Sequence, residues 1–204
     1  MPLTRSNDLT SGSPDSPAPA LSWREDLDHP DVARRRQAAL MIGGMETACV
    51  AIGERLRVEA HASVREALLG ALTRTPCQAA VDVLLPLLRQ EDAYLRNGAI
   101  EALASMPGQV APRVDVLLAD ADPDVRIFAV NLLGELRHGQ VPAWLRQVLS
   151  ADPHVNVVAA ALEVMAEVGG PEDLPAIAQA QARFQADPFI EFAADMARER
   201  IKTP

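Results

Sequence analysis

Few side chains in this chain have the chemistry to bind a metal or attack a substrate: four histidines (His29, His61, His138 and His154) and two cysteines, Cys49 and Cys77. Three of the histidines, His29, His61 and His154, stand at the opening of a helix-like segment, one per segment. Packed helices lie about 8–10 Å apart, so histidines on successive segments are separated by about 10 Å or more and do not share a metal ion. They read as turn residues facing solvent. The cysteines do not form a Cys-x-x-Cys pair, and two thiols alone do not complete a structural zinc site. Each lies in an apolar stretch, which predicts buried free thiols rather than a disulfide scaffold. No Ser or Cys stands in a nucleophile motif, and Gly43-Gly44 and Gly169-Gly170 read as helix ends rather than a phosphate-cradling loop. The expectation is a chain with no catalytic, cofactor-binding or metal-binding residues and no cofactor.

Charge narrows the partner classes. The formal net charge is −9 and the pI about 4.9. A nucleic-acid binder needs a basic face to neutralise phosphates, so this balance speaks against nucleic acid. The basic residues are arginine except for Lys202, and arginine makes planar, bidentate contacts to carboxylates that suit ties between elements. No run approaches eighteen apolar residues, so no membrane span is expected. The N-terminus lacks a basic region followed by an apolar run, so no signal peptide is expected and the cytoplasm is the default location.

The elements that position these residues follow from a repeat. Ala121-Asp122-Pro123-Asp124-Val125 recurs thirty residues later as Ala151-Asp152-Pro153-His154-Val155, and again as Ala186-Asp187-Pro188-Phe189-Ile190. Upstream stand Glu91-Asp92-Ala93-Tyr94-Leu95 and Ala60-His61-Ala62-Ser63-Val64, with Asp28-His29-Pro30-Asp31-Val32 as the first copy. Aspartate at an N-cap accepts from free backbone N–H groups, and proline at the first helical position has no N–H to leave unsatisfied. A helix-period apolar stripe follows (Val125, Ala129, Leu132, Leu133, Leu136), then a Gly or Pro break and a second apolar helix. First helices are expected near 30–44, 62–74, 92–105, 122–137, 152–168 and 188–201, and second helices near 46–58, 77–89, 109–119, 140–150 and 171–185. Aromatic residues make up only 3% of the chain, so the core must be built from Ala, Leu and Val, which suits closely packed helices. Residues 1–21, rich in Pro and Ser, read as a disordered tail and 22–204 as one repeat domain, with Trp23 covering its open end.

The Asp-Pro-x-Val-Arg opening, the small residues and the thirty-residue period resemble HEAT repeats, over about residues 22–201. They are most similar to the short HEAT-like class found in phycobiliprotein lyases. The resemblance implies an all-α, right-handed α-solenoid of about five HEAT-like helical hairpins with a C-terminal capping helix. It also implies an inter-repeat ladder of Arg65, Arg96 and Arg126 with Asp92, Asp122 and Asp152, ending where Asn156 and Glu191 take the arginine position. Two enzyme types of similar fold fit poorly. Deoxyhypusine hydroxylase holds its irons with His-Glu pairs, and this sequence has no His-Glu dipeptide. HEAT-like DNA glycosylases use a basic groove, which this acidic chain lacks.

Solenoids bind along the concave face, lined by second helices. Aligning Leu87-Leu88, Leu117-Leu118 and Val148-Leu149 puts Val83, Arg113 and Trp144 at one equivalent position. Trp144 is then either an exposed hot spot beside Arg113 and Arg146, with Arg89 and Arg55 on earlier units, or a ring packed between hairpins. The function expected is a non-enzymatic scaffold, adaptor or assembly factor that binds another protein through Trp144, Arg113, Arg146, Arg89 and Arg55. The alternative, drawn from the resemblance, is a lyase-like accessory for attachment or insertion of a tetrapyrrole or other prosthetic group.

Overall fold

The structure, a computed structural model, describes residues 22–185 and 187–202. The tail expected over residues 1–21 lies outside them. Three of the aspartates at the repeat openings, Asp92, Asp122 and Asp187, cap the helix that follows. Asp92 accepts from the N–H groups of Tyr94 and Leu95, Asp122 from that of Asp124, and Asp187 from those of Phe189 and Ile190. The first helices that follow are α2 (Val32–Met41), α4 (Ala62–Thr73), α6 (Ala93–Ala104), α9 (Pro123–Glu135), α11 (Val155–Val168) and α13 (Pro188–Lys202). A short α1 (Ser22–Leu27) precedes them. The second helices are α3 (Cys49–Val58), α5 (Gln78–Leu84), α7 (Pro107–Val110), α8 (Val114–Leu118), α10 (Val141–Ala151) and α12 (Leu174–Arg183). No strand occurs among the described residues.

Consecutive first helices stack on one another, α2 on α4, α4 on α6, α6 on α9 and α9 on α11, while α3 meets α5 and α10 meets α8 and α12. The result is an all-α solenoid of five hairpins. At the front, α1 lies against α2 and buries Trp23 and Leu27. At the back, α13 packs on α11 and α12 through Ile190, Ala193, Ala194 and Ala197. The stripe Val125, Ala129, Leu132, Leu133 and Leu136 is buried throughout.

Two departures from the expected helices have backbone causes. The second helix of the third hairpin is broken into α7, a 3₁₀ turn over Ala111–Arg113, and α8. Pro112 in that turn has no N–H to donate, so the α ladder is interrupted there. A 3₁₀ turn over Leu85–Arg89, with Pro86 in it, ends the second hairpin in the same way. In the fifth hairpin, α11 starts at Val155 with His154 at its cap rather than at Asp152. The Asp152 carboxylate is buried in a pair with Arg126.

Small residues let the layers approach. A Cβ on Gly53 would sit 2.7 Å from Val83 Cγ1, and one on Gly98 would sit 2.5 Å from Leu69 Cδ1. Gly44, after the first helix, adopts φ 91°, a left-handed conformation that favours glycine.

Candidate partner-binding face

An arginine four residues beyond the N-cap recurs in the first four hairpins: Arg35, Arg65, Arg96 and Arg126, after Asp31, His61, Asp92 and Asp122. Each turns its guanidinium back onto carbonyls of the preceding turn. Arg35 donates to His29 and Pro30, Arg65 to Glu59, Arg96 to Gln90 and Glu91, and Arg126 to Asp120 and Ala121. In Arg35, Arg65 and Arg126, further N–H groups reach carboxylates. Arg65 pairs with Asp92 at 2.7 Å in the next hairpin. Arg126 holds Asp152 through two bonds of 2.7 and 3.0 Å, both side chains being buried. Arg35 holds Glu59 in the same two-pronged way at 2.8 and 3.1 Å.

Two features of this series differ from the sequence expectation. Arg96 forms no ion pair with Asp122, whose carboxylate caps α9 instead. The Arg96 guanidinium lies 4.5 Å over the Phe128 ring, a favourable cation–π placement. The series also starts one hairpin earlier, at Arg35. Asp28-His29-Pro30-Asp31 mimics the repeat opening, but the cap equivalent to Asp92 and Asp122 is Asp31, three residues on. Counting thirty back from Arg65 reaches Arg35 directly. Where the series ends, at Asn156, Arg183 of the fifth hairpin reaches back and donates to the Leu149 and Asp152 carbonyls.

Glu59 is the most perturbed carboxylate of the series. Burial opposes its ionisation, but hydrogen bonds from Arg35 and the His61 N–H, with the charges of Arg55 and Arg35, outweigh that and lower its pKa to about 2. At Asp92, bonds from the Leu95 N–H and from Arg65 hold the carboxyl below its ordinary range.

The second-helix layer carries its own cross-ties. Arg113 pairs back with Asp82 of the preceding hairpin, Arg89 pairs forward with Asp120, and Arg146 pairs forward with Asp173 at 2.5 Å. Arg55 instead pairs with Glu59, which follows the end of its own helix, at 3.0 Å, and with Asp28 at 3.6 Å. The side chains of Arg89, Arg113 and Arg146 are 53, 41 and 42% exposed, so each pair keeps one face to solvent. Val50 of α3 and Val116 of α8 are exposed on the same layer.

Trp144 departs from the exposed alternative: it is 7% exposed and stacks on His138, with ring centroids 5.1 Å apart. The position it shares with Val83 and Arg113 borders a neighbouring hairpin, where an apolar side chain packs and only the longer Arg113 also reaches solvent. Val83 packs on Gly53, and Arg113 reaches Asp82. A ring at this position belongs to the core between hairpins. Sequence reading also missed an exposed apolar stripe on α13, formed by Phe189, Phe192 and Met196. Spacing of three and four residues on a single helix is the signal that marks it.

Among the described residues no group of three or more His, Cys, Asp and Glu side chains is placed to hold a metal ion. No described helix is long and apolar enough to cross a membrane. No curated protein matches the chain. Solved structures similar to it include an engineered protein at 20% identity, covering 90% of this chain and 98% of that one with a TM-score of 0.43. A designed armadillo repeat protein is similar at 18% identity, covering 88% and 98% with a TM-score of 0.40. The complex of CpcE and CpcF of phycocyanin lyase from Nostoc sp. PCC7120 is similar at 16% identity, covering 97% and 100% with a TM-score of 0.37. The family described as HEAT repeats matches residues 50–114 and 110–188. That match takes in four of the five hairpins and their repeating arginines, and the chain belongs to the HEAT-repeat family.

Proposed function

We propose that the chain is a non-enzymatic scaffold that binds another protein through its layer of second helices, around Arg89, Arg113 and Arg146. The observation that carries this reading is the file of half-exposed arginines on this layer: Arg113, paired with the equally exposed Asp82, and Arg89 and Arg146, held by the more deeply set Asp120 and Asp173. The Arg113–Asp82 pair is exposed on both sides and contributes about 0–1 kcal/mol to stability, so exchanging its carboxylate for one from a partner costs the fold little, whereas Arg89 and Arg146 keep their own aspartates and offer a partner their solvent-facing N–H groups. Arginine keeps free N–H groups for that exchange, and its fork favours planar carboxylates. Arg55 sits deeper, tied to Glu59, and serves this face by holding the first hairpin in register. Trp144 supports the same face from beneath as a packed ring.

Capture from a lysate of the source cells with the immobilised chain tests this. Arg89→Glu with Arg113→Glu is expected to lower recovery of the specific partners at least tenfold while the helical circular dichroism stays unchanged. Equal recovery by both proteins contradicts the reading.

A further inference from the structure

The two cysteines, twenty-eight residues apart in sequence, lie side by side. Cys49 is the first residue of α3 and Cys77 the N-cap of α5. Because α3 and α5 are equivalent helices of successive hairpins and pack on each other through Gly53 and Val83, their N-terminal ends meet. The two Sγ atoms are 3.9 Å apart. The thiols are unequal: Cys49 is wholly buried, whereas Cys77 is partly exposed.

We propose that Cys49 and Cys77 form a modification site, a dithiol that a low-molecular-weight disulfide converts to a cross-link between the first two hairpins. The inequality fixes the order of events. The exposed Cys77 attacks first, as its thiolate, on one sulfur of the small disulfide. A mixed disulfide forms and one small thiolate leaves. Cys49 then attacks the Cys77 sulfur, expels the second small thiolate and closes the Cys49–Cys77 bond. The two protons lost by the cysteines end on the two released small thiols. The pair is oxidised by two electrons and the small disulfide is reduced by two, so no other oxidant enters. A disulfide needs its sulfurs about 2 Å apart, so they must close by about 2 Å, a distance side-chain rotation at two helix openings can cover. Burial pushes the Cys49 thiol up to about 12, with Cys77 beside it adding to the shift. Buried, Cys49 does not meet the small disulfide directly, and its partner for exchange is the Cys77 sulfur 3.9 Å away.

The cross-link ties the first described hairpin to the second through their second helices. The experiment treats the folded full chain with oxidised glutathione. The expected product is lighter by two hydrogens in its intact mass, yields a Cys49–Cys77 peptide in a non-reducing digest, and melts several degrees higher. The Cys49→Ala variant, small enough for the buried position, is expected to stop one step earlier and keep one glutathionyl group on Cys77. A stable glutathionyl adduct on the wild-type chain would overturn the proposal. So would unreactive thiols in the folded protein, or a cross-link that forms only after denaturant unfolds the chain.

Discussion

The arginines show how one residue type serves two purposes according to its depth. Arg126 and Asp152 are both buried and joined by two hydrogen bonds. Removing one partner strands a charge in low dielectric, which costs about 3–5 kcal/mol. Arg126→Met is therefore expected to lose about 3 kcal/mol in denaturant unfolding, whereas Arg113→Met at the exposed pair with Asp82 should lose less than about 1 kcal/mol. Glu59 adds a pH signature. Its folded pKa of about 2 lies below its ordinary value of 4.5. A group with a depressed folded pKa stabilises above its unfolded pKa and loses that contribution as pH falls through the folded one. The wild type should thus lose stability between about pH 4.5 and 2 through this group, and Glu59→Gln should flatten that part of the profile. Trp144 belongs with the buried residues: Trp144→Ala is expected to cost about 3 kcal/mol or more, as truncation of a packed aromatic does. A loss of binding with unchanged stability would return it to the surface.

At the scale of the element, the helices were largely legible because caps and breakers are local. Aspartate caps, Gly43-Gly44 and the apolar stripes lie within a few residues of what they control. What stayed hidden was set by the neighbouring hairpin. Asp152 reads as a helix cap, and it does accept from the His154 N–H, but the sequence gives no sign that Arg126 grips the same carboxylate from a hairpin away or that α11 starts later, at Val155. The Asp28-His29-Pro30 sequence imitates a repeat opening and shifts the first register by three residues, hiding Arg35. The alignment that joins Val83, Arg113 and Trp144 gives the position but not the direction it faces, which only stacking decides. The glycines offer a direct check on stacking. Gly98→Val drives its side chain into Leu69 and is expected to cost about 1–3 kcal/mol. If the α4–α6 contact is the cause, Leu69→Ala in the same chain should cost less than it does alone, and thermal melts of the four proteins in a double-mutant cycle measure this.

For the whole molecule, the repeat explains both what the sequence disclosed and what it withheld. A thirty-residue period needs one hairpin per copy, and a hairpin cannot bury its apolar face alone, so stacking follows from the period itself. Function does not follow in this way, because the residues that mark the period are the ones occupied in stacking. Arg35, Arg65 and Arg126 place donors on the turn before them and on neighbouring carboxylates, and Arg96 donates to the turn before it with its guanidinium face over Phe128. The partner surface we propose is the second-helix layer with its exposed arginine faces, and a surface site is the part of a solenoid that periodicity says least about. Hydrogen exchange on the full chain, alone and bound to its captured partner, tests the central claim most directly. Slowed exchange in α5, α7, α8 and α10, with α4, α6 and α9 unchanged, is the predicted result; protection confined to α4, α6 and α9 would contradict it.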